Sequence, residues 1–293
     1  MKRKPIALLL ALLLVLACLP ALADGVTAVD MKGREIALNA PVTRVLAVSA
    51  AECEILYALG AGDTLVGRGE YCNYPAEALS LPVVASGAGL NIEQIIALNP
   101  DLVIMSTMSQ TIEQVESLER AGIPVAVTES KGIAGVYESI ALIGALTGRN
   151  DEAQALINQM RDAFDAISKE AQNDGKTVYF EVSPLEWGLW TAGGNTFMDE
   201  IAAICGLENA FHDVSEWAPI SPEQVIERNP DYIITMTPAY EGAPSPIDEI
   251  KSRAGWENIS AVKNDAILCA DNDSITLPGP RLADAARAIF DFI

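Results

Sequence analysis

The chain has 293 residues, half of them hydrophobic and a fifth charged, with a formal net charge of −21. This composition is too apolar for a disordered chain, and the length favours two domains of roughly 100 to 150 residues. The acidic excess repels phosphate and argues against a nucleic-acid partner.

The first residues are typical of a secretory signal peptide. Three basic residues lie within Met1–Lys4, an apolar run extends from Ile6 to Leu19, and small residues surround Ala23. This run is shorter than the roughly 20 residues that a membrane-spanning helix needs, which argues against a membrane anchor. We therefore expect residues 1–23 to be removed and the protein to act outside the cytoplasm, in the periplasm or on the outer face of the cytoplasmic membrane.

Two processing sites compete at this end. Val15–Cys18 resembles a lipoprotein box, in which Cys18 is lipidated, whereas cleavage after Ala23 releases a soluble protein. Asp24 and Gly25 lead almost directly into the first strand, so Cys18 would leave only a short tether, and we favour release. Removal of residues 1–23 takes away three basic and no acidic residues, and the formal net charge falls to −24.

The chain offers few ligands for a metal of its own. His212 is the only histidine, and Cys53, Cys72, Cys205 and Cys269 are scattered without a CxxC pair. Zinc sites of the His/Cys kind and sites for other bare divalent ions need several such ligands, so we expect no metal site and no cofactor. The disulfide state of the four cysteines stays open, because three pairings are possible.

Short apolar segments alternate with helical patterns along the first half of the chain. The segment at 44–49 reads as a strand that ends in Ser49, and the next helix ends at Gly60. The same alternation predicts a strand at 102–105, a helix at 110–121 and a strand at 125–127. Fully apolar short strands between helices indicate a parallel sheet that is covered on both faces.

The most informative feature is an internal repeat. The segment Asn91–Met105 reappears as Ser221–Thr235 with seven of fifteen positions identical. Each copy contains an N-cap residue, an acidic residue two places on, a glutamine at the capping-box position and an Asn-Pro stop before a buried strand. One copy therefore belongs to each of two similar α/β lobes.

The segment between the repeats predicts one long helix. Asn150–Asn173 lacks Gly and Pro, and its apolar residues recur at spacings of three and four. A helix of this length spans roughly 36 Å, enough to connect two lobes. We therefore expect an α/β protein with two Rossmann-like lobes, each with a parallel sheet. The predicted units are an N-terminal lobe at 24–147, an interlobe helix at 148–174 and a C-terminal lobe at 175–293.

Several segments together resemble a known family, the substrate-binding proteins of ATP-binding-cassette importers that bind cobalamin, ferric siderophores or haem. The resemblance covers nearly the whole mature chain and is specific only in the order and spacing of its motifs. These are Glu54–Gly60, Tyr71–Pro75, Asn91–Met105, Gly193–Phe197, Ser221–Thr235 and Pro278–Arg281.

This resemblance implies a function and a partner. The protein is expected to capture a metal chelate between its lobes, either cobalamin or another corrinoid or a ferric siderophore, with haem less favoured. It would deliver this chelate to the permease dimer of an importer, with cobalt or iron carried by the ligand itself. By the same resemblance, Glu93 and Glu223 would contact arginines of the permease, one glutamate per lobe. The alternative is that both are helix-cap carboxylates that face the positive end of a helix dipole. We expect a monomer.

The resemblance also suggests which side chains contact the ligand. Tyr71, Trp190 and Trp217 match positions where cobalamin-binding members place aromatic rings, and rings offer a large flat ligand a wide apolar area. Trp187 and Tyr74 are weaker candidates of the same kind. Gly87 stands where cobalamin binders carry a tryptophan, which is a departure from the corrinoid pattern.

Three basic side chains are further candidates. Arg281 and Arg68 would suit a carboxylate or a polar side chain of the ligand, since arginine binds such groups in a bidentate manner. The alternative for Arg281 is an ion pair within the protein. His212 is a candidate axial donor to a ligand metal, although a single loop histidine is more often solvated.

Other classes of protein fit less well. A secreted hydrolase is disfavoured because the sequence has no GxSxG motif and a single histidine, so we expect no enzyme activity. Gly60–Gly62 follows a helix and lacks a third glycine, which argues against a dinucleotide loop. A surface receptor or sensor that binds the same chelates without delivering them remains an alternative.

Overall fold

The computed structural model describes residues 25–107, 110–239, 242 and 244–293. The predicted signal peptide and Cys18 lie outside these residues. Within the described part of the chain, no helix is both long and apolar enough to cross a membrane.

The described chain begins with a two-stranded antiparallel hairpin, of which the sequence predicted only a first strand soon after Gly25. It consists of β1 (Val26–Val29) and β2 (Glu35–Leu38). Asp30 in its turn is buried, pairs with Arg34 and accepts a hydrogen bond from the Val127 amide at 3.0 Å. These contacts hold the hairpin against the N-terminal lobe.

The N-terminal lobe contains a sheet of five parallel strands in the order β5-β4-β3-β6-β7. Its strands are β3 (Val45–Ala47), β4 (Leu65–Gly69), β5 (Val83–Val84), β6 (Leu102–Ser106) and β7 (Val125–Thr128). Its helices are α1 (Ala50–Ala58), α2 (Ile92–Leu98), α3 (Ile112–Arg120) and α4 (Ile133–Thr147), with 3-10 turns at Gly62–Thr64, Ala76–Ser80 and Gly87–Gly89. The predicted strands and helices of this half agree with the structure to within a few residues at each end.

A single long helix, α5 (Asn150–Glu170), connects the two halves. The apolar stripe predicted from the sequence is buried at Ala153, Ile157, Met160, Phe164 and Ile167. The helix ends three residues earlier than the pattern predicts, because Ala171 adopts an extended backbone and the chain turns towards the next strand. At 1.5 Å per residue its 21 residues span roughly 32 Å.

The C-terminal lobe contains four parallel strands in the order β10-β8-β12-β13 and a separate antiparallel pair, β9 and β11. The strands are β8 (Thr177–Glu181), β9 (Trp190–Ala192), β10 (Glu208–Asn209), β11 (Trp217–Pro219), β12 (Tyr232–Thr235) and β13 (Ile267–Cys269). The helices are α6 (Phe197–Ile204), α7 (Pro222–Arg228), α8 (Pro246–Ser252), α9 (Ser260–Lys263), α10 (Asn272–Thr276) and α11 (Leu282–Phe292), with 3-10 turns at Leu185–Trp187 and Trp256–Asn258. The chain is thus an α/β protein of two parallel-sheet lobes joined by one long helix, as predicted.

The repeat folds into the same unit in both lobes. Asn91 and Ser221 cap α2 and α7 by accepting hydrogen bonds from the amides of Gln94 and Gln224. Both helices end at an asparagine in the left-handed region, Asn99 and Asn229. A complete capping box forms only in the second copy, where the Ser221 amide donates to Gln224 Oε1 at 2.8 Å.

The hydrophobic core extends through both lobes. Its largest cluster joins residues of α1 and α4, the buried face of α5, and residues of α6 and α11. Two smaller clusters cover the opposite faces of the sheets, one on the N-terminal sheet and one on the C-terminal sheet. Because the interlobe helix contributes to the same core as both lobes, their relative position is fixed by apolar packing as well as by the chain.

Candidate binding cleft

One cavity lies at the point in the N-terminal sheet where the direction of strand addition reverses. From β3 the chain adds β4 and β5 on one side and then β6 and β7 on the other, which makes the β3–β6 junction a topological switch point. In open parallel sheets, ligands bind outside the carboxyl ends of the strands at such a point. Val48 and Ser49 directly follow β3, and Ser106 is the last residue of β6, so all three lie at the switch point.

A cavity of about 400 Å³ occupies the switch point, and we call it the Tyr71 pocket. Its lining is largely apolar, with hydroxyl and carboxyl groups from several segments. Tyr71 is 70% exposed at this site, and Leu277 and Pro278 add a contribution from the C-terminal half. The described lining residues are Val48, Ser49, Ala50, Ala51, Glu52, Glu70, Tyr71, Ser86, Gly87, Ser106, Leu277 and Pro278.

Two glycines at this pocket occupy backbone positions that disfavour any larger residue. A Cβ atom at Gly69 would lie 1.9 Å from the Val48 carbonyl oxygen, so only glycine permits this approach of β4 to the end of β3. Gly87, the departure noted in the sequence, lines the pocket with φ +60°. A tryptophan would be strained in this left-handed conformation.

The two predicted tryptophans lie on one face of the β9–β11 ribbon. Trp190 pairs with Pro219, and Ala192 pairs with Trp217. Directly paired residues, and residues two apart on one strand, share a face of a β-ribbon, so the two indoles are diagonal neighbours. Trp190 is 42% exposed, whereas Trp217 is half-buried and packs on Phe197 with ring centroids 5.6 Å apart.

Trp217 also lines a second cavity of about 430 Å³ between the halves, which we call the Trp217 pocket. Lys131 and Glu216 face each other across it in an ion pair at 2.7 Å. The described lining residues are Thr107, Glu129, Ser130 and Lys131 from the first half, and Asn195, Glu216 and Trp217 from the second. Of the three predicted aromatic positions, Tyr71 and Trp217 therefore each line a cavity, whereas Trp190 lines neither.

Arg281 forms an ion pair within the protein, which was the alternative drawn from the sequence. Its Nε and Nη2 atoms donate to Glu54 Oε2 and Oε1 at 2.9 and 2.6 Å, and Nη1 reaches Asp271 at 3.2 Å. Its guanidinium lies 4.3 Å from the centre of the Tyr74 ring. Burial raises the pKa of Glu54, although the hydrogen bond and charge of Arg281 lower it. This cluster joins α1 to the start of α11, and a ligand role for Arg281 remains a prediction.

The weaker candidates are dispersed. Arg68 is buried and donates to the carbonyl oxygens of Gly69 and Glu70, and it lines neither pocket. Trp187 is 68% exposed and also absent from both linings. His212 pairs with Asp199 at 3.0 Å beside a separate cavity, and this contact raises its pKa. The structure therefore does not bring His212 to the Tyr71 or Trp217 pocket.

Glu93 and Glu223 occupy the second position of α2 and α7 and are exposed in both lobes. Hydrogen bonds from its own backbone amide and from Ser221 lower the pKa of Glu223, which keeps it charged. Three residues further along, Ile96 and Ile226 are 47% and 37% exposed. Residues three apart share a helix face, so each lobe presents the same pair of a glutamate and an isoleucine.

The four cysteines outside the leader are unpaired in this structure. Cys53, Cys72 and Cys205 are buried, and Cys269 is half-buried. The thiols of Cys53 and Cys72 interact, and this contact together with burial raises the pKa of Cys72. The Cys72 thiol is therefore not suited to be a nucleophile, since buried neutral thiols are unreactive.

Sequence patterns did not single out Glu52. This residue lies in the first turn of α1, is 2% exposed and lines the Tyr71 pocket. Its Oε1 accepts a hydrogen bond from the Thr128 hydroxyl at 2.5 Å, whereas its Oε2 has no partner among the described residues. Glutamate is common in the first turn of a helix, where it stabilises the helix dipole, so the sequence gives no sign that Glu52 is buried. Its burial results from the packing of β7 against α1.

Comparison with known proteins agrees with this architecture. Residues 45–273 match the periplasmic binding protein family, to which the chain therefore belongs. This confirms the resemblance drawn from the sequence and agrees with a location outside the cytoplasm.

The relatives differ in whether their names state a ligand and in which ligand they state. The chain is 30% identical over 275 residues to the ABC transporter substrate-binding lipoprotein YvrC of Bacillus subtilis, which covers 92% of this chain and 85% of the relative. It is 29% identical to a vitamin B12-binding protein of Vibrio parahaemolyticus, over 84% of this chain and 88% of the relative. Among solved structures, the periplasmic haem-binding protein RhuT of Roseiflexus sp. RS-1 gives a TM-score of 0.75 at 26% identity and covers 85% of this chain and 98% of its own.

Proposed function

We propose that this protein captures a metal chelate, a corrinoid or a ferric siderophore, in the cleft between its lobes and delivers it to an ATP-binding-cassette importer. The Tyr71 pocket carries the proposal, because it lies at a switch point, is largely apolar and contains an exposed aromatic ring. These features suit a large ligand with extensive flat surface. The names of relatives that bind vitamin B12 and haem support the same class of cargo.

Three aromatic side chains are the proposed ligand contacts. Tyr71 lines the Tyr71 pocket in the N-terminal half, Trp217 lines the Trp217 pocket, and Trp190 is a diagonal neighbour of Trp217 on the β9–β11 ribbon. Tyrosine and tryptophan offer wide contact area with few rotatable bonds, so they bind at small entropic cost. The ligand carries its own cobalt or iron, and among the described residues no group of three or more His, Cys, Asp or Glu side chains forms a metal site.

Equilibrium dialysis of coloured chelates tests the capture step. Purified protein would be dialysed against cyanocobalamin, a ferric hydroxamate siderophore and hemin in turn. We expect one of the first two to be retained at one molecule per protein and Tyr71→Ala to weaken its binding about tenfold or more. Trp187→Ala is the matched control, since Trp187 is equally exposed and lines neither pocket. Failure to retain either of the first two, including retention of hemin alone, would contradict the proposed cargo.

Delivery to the permease is proposed to use the repeated surface of Glu93 and Glu223. A helix cap explains a glutamate at each position. It does not explain why an isoleucine on the same face is exposed in both copies, whereas two carboxylates flanked by apolar contacts suit a partner with paired basic residues.

Uptake assays with charge-reversed protein test this step. Glu93→Lys combined with Glu223→Lys is expected to abolish chelate uptake in a reconstituted importer and to leave chelate affinity unchanged. Glu113→Lys is the matched control, because Glu113 is also an exposed second-position glutamate, on α3 outside the repeat. Equal uptake by the double variant and the control would refute docking through these residues.

A further inference from the structure

One short segment of the N-terminal half is held by two carboxylates of the C-terminal half. The segment Lys131–Ile133 lies between β7 and α4, and its first residue lines the Trp217 pocket. The Lys131 ammonium group pairs with Glu216 at 2.7 Å, and the Ile133 amide donates to Glu200 Oε2 at 2.7 Å. We call these two contacts the interlobe clamp. They connect the two halves directly at the pocket wall, without passing through α5.

Glu200 caps a helix that belongs to the other half. Gly132 occupies the N-cap position of α4 and has no side chain that accepts from the first amides of the helix. The Glu200 carboxylate accepts instead, from the first turn of α6, and the positive end of the α4 dipole stabilises its charge.

The absence of a side chain at Gly132 makes room for this carboxylate. A Cβ atom at Gly132 would lie 2.4 Å from Glu200 Oε1. Because Oε1 is at the end of a flexible side chain, an added methyl group would displace Glu200 and leave the backbone in place. Gly132→Ala therefore removes the same contact as a change of Glu200 itself.

Glu216 is fixed on its own side of the clamp. It is a non-glycine residue with φ +57°, a conformation that costs energy and persists where neighbouring contacts enforce it. Its amide donates to the Gly194 carbonyl oxygen, and its own carbonyl oxygen accepts from the Gly193 amide, both at 2.8 Å. Trp217 follows directly, so the same backbone conformation sets the positions of both residues in the pocket wall.

We propose that Glu200 and Glu216 are positioning residues that fix the width of the Trp217 pocket before the chelate binds. The clamp holds residues 129–131 in one wall against Trp217 in the other. A pocket that already has its bound spacing loses less conformational freedom on binding, which raises affinity. Glu216 lines the pocket, whereas Glu200 lines neither the Tyr71 pocket nor the Trp217 pocket and acts only through the segment that it caps.

This inference rests on the proposed function and adds to it a means of setting the geometry of the cleft. The Lys131 and Glu216 side chains are 60% and 49% exposed, and exposed ion pairs contribute little to stability. Glu200 is exposed as well. The clamp therefore affects the placement of the two pocket walls more than the stability of the fold, and its loss should be detected in local motion and in affinity.

Hydrogen exchange measured by mass spectrometry tests the clamp without any ligand. Glu200→Ala and Gly132→Ala are each expected to accelerate exchange about threefold or more in peptides that cover residues 131–135 and in peptides that cover residues 214–218 of the opposite wall. Glu113→Ala is the matched control, because Glu113 lies in the first turn of α3 within its own lobe, and it should change neither segment. Acceleration confined to 131–135 would reduce Glu200 to a helix cap, and this result or unchanged exchange would overturn positioning across the cleft.

Binding affinity supplies the second test, with cyanocobalamin, a ferric hydroxamate and hemin as probes. Glu200→Ala and Gly132→Ala are each expected to weaken the bound chelate about threefold to tenfold, the effect of one lost hydrogen bond. The double variant should bind no more weakly than the weaker single variant, because both changes remove the same contact. Glu200→Gln, whose amide oxygen still accepts from the Ile133 amide, should bind within about twofold of the wild-type protein.

The outcomes of the two tests separate this inference from the proposed function. Unchanged affinity in both single variants, or losses that add in the double variant, would overturn the positioning role. Absence of binding by the wild-type protein would contradict the proposed cargo instead, and the exchange rates of the ligand-free proteins would still decide whether the clamp holds the two walls.

Discussion

Glu54 and Arg281 are 227 positions apart and form a two-point ion pair across the molecule, with N–O distances of 2.6 and 2.9 Å. Glu54 belongs to α1 of the N-terminal half, and Arg281 immediately precedes α11 at the C-terminal end. The pair is 4% and 18% exposed at its two side chains, so it is shielded from solvent on the carboxylate side. The ion pair therefore links the two lobes at a point beside the long helix that joins them.

Removal of this arginine should lower stability. Arg281→Met leaves Glu54 buried without its cation, and breaking such a pair costs on the order of 3 kcal/mol. Urea unfolding measures the change. Arg287→Met is the control, because Arg287 pairs with Asp291 at an exposed site and should cost at most about 1 kcal/mol. Equal losses in the two variants would contradict a structural role for the Glu54–Arg281 pair.

The stability of the wild-type protein relative to Glu52→Gln should depend on pH. Since the pKa of Glu52 is raised by folding, its stabilising contribution is complete below the ordinary glutamate value of 4.5 and is lost as pH rises through the folded-state pKa. The unfolding free energy of the wild-type protein minus that of Glu52→Gln should therefore decrease as pH rises from 4.5. A difference that stays constant from pH 4.5 to 8 would show that Glu52 titrates normally.

His212 offers a titration that needs no assignment, because it is the only histidine. The Asp199 carboxylate accepts a hydrogen bond from its Nδ1 and raises its pKa above the ordinary value of 6.5. Proton NMR should record this elevated value in the wild-type protein and a return towards 6.5 in Asp199→Asn. Addition of a bound chelate should leave the titration unchanged, since His212 lies beside a different cavity. A chelate-dependent shift would revive the axial-ligand hypothesis for this residue.

The exposed isoleucines of the repeat extend the docking hypothesis. Ile96→Ser combined with Ile226→Ser should reduce stimulation of the importer's ATPase by several-fold, because apolar contact beside the glutamates is lost. Ile112→Ser is the matched control at the 52% exposed first residue of α3. Full stimulation by the double variant would restrict docking to the charged groups.

The sequence predicted the parts of this molecule that depend on local patterns. The repeat around Asn91 and Ser221, the α5 stripe and the cap signals follow from residue spacing, and the structure confirms the two-lobed fold. Contacts between distant segments could not be predicted from residue spacing. The pairing of Arg281 with Glu54, the burial of Glu52 under Thr128 and the common face of Trp190 and Trp217 depend on how separate strands and helices meet.

Tryptophan-fluorescence titration tests the central claim, capture of a chelate between the lobes. The protein would be titrated with cyanocobalamin and a ferric hydroxamate, with corrections for absorbance by the chelate, and compared with Trp217→Phe and Trp187→Phe. The account predicts saturable quenching by one chelate that is strongly reduced in Trp217→Phe and retained in Trp187→Phe. Saturable quenching that is the same in both variants would place the ligand away from Trp217, and no quenching by either chelate would contradict the claim itself.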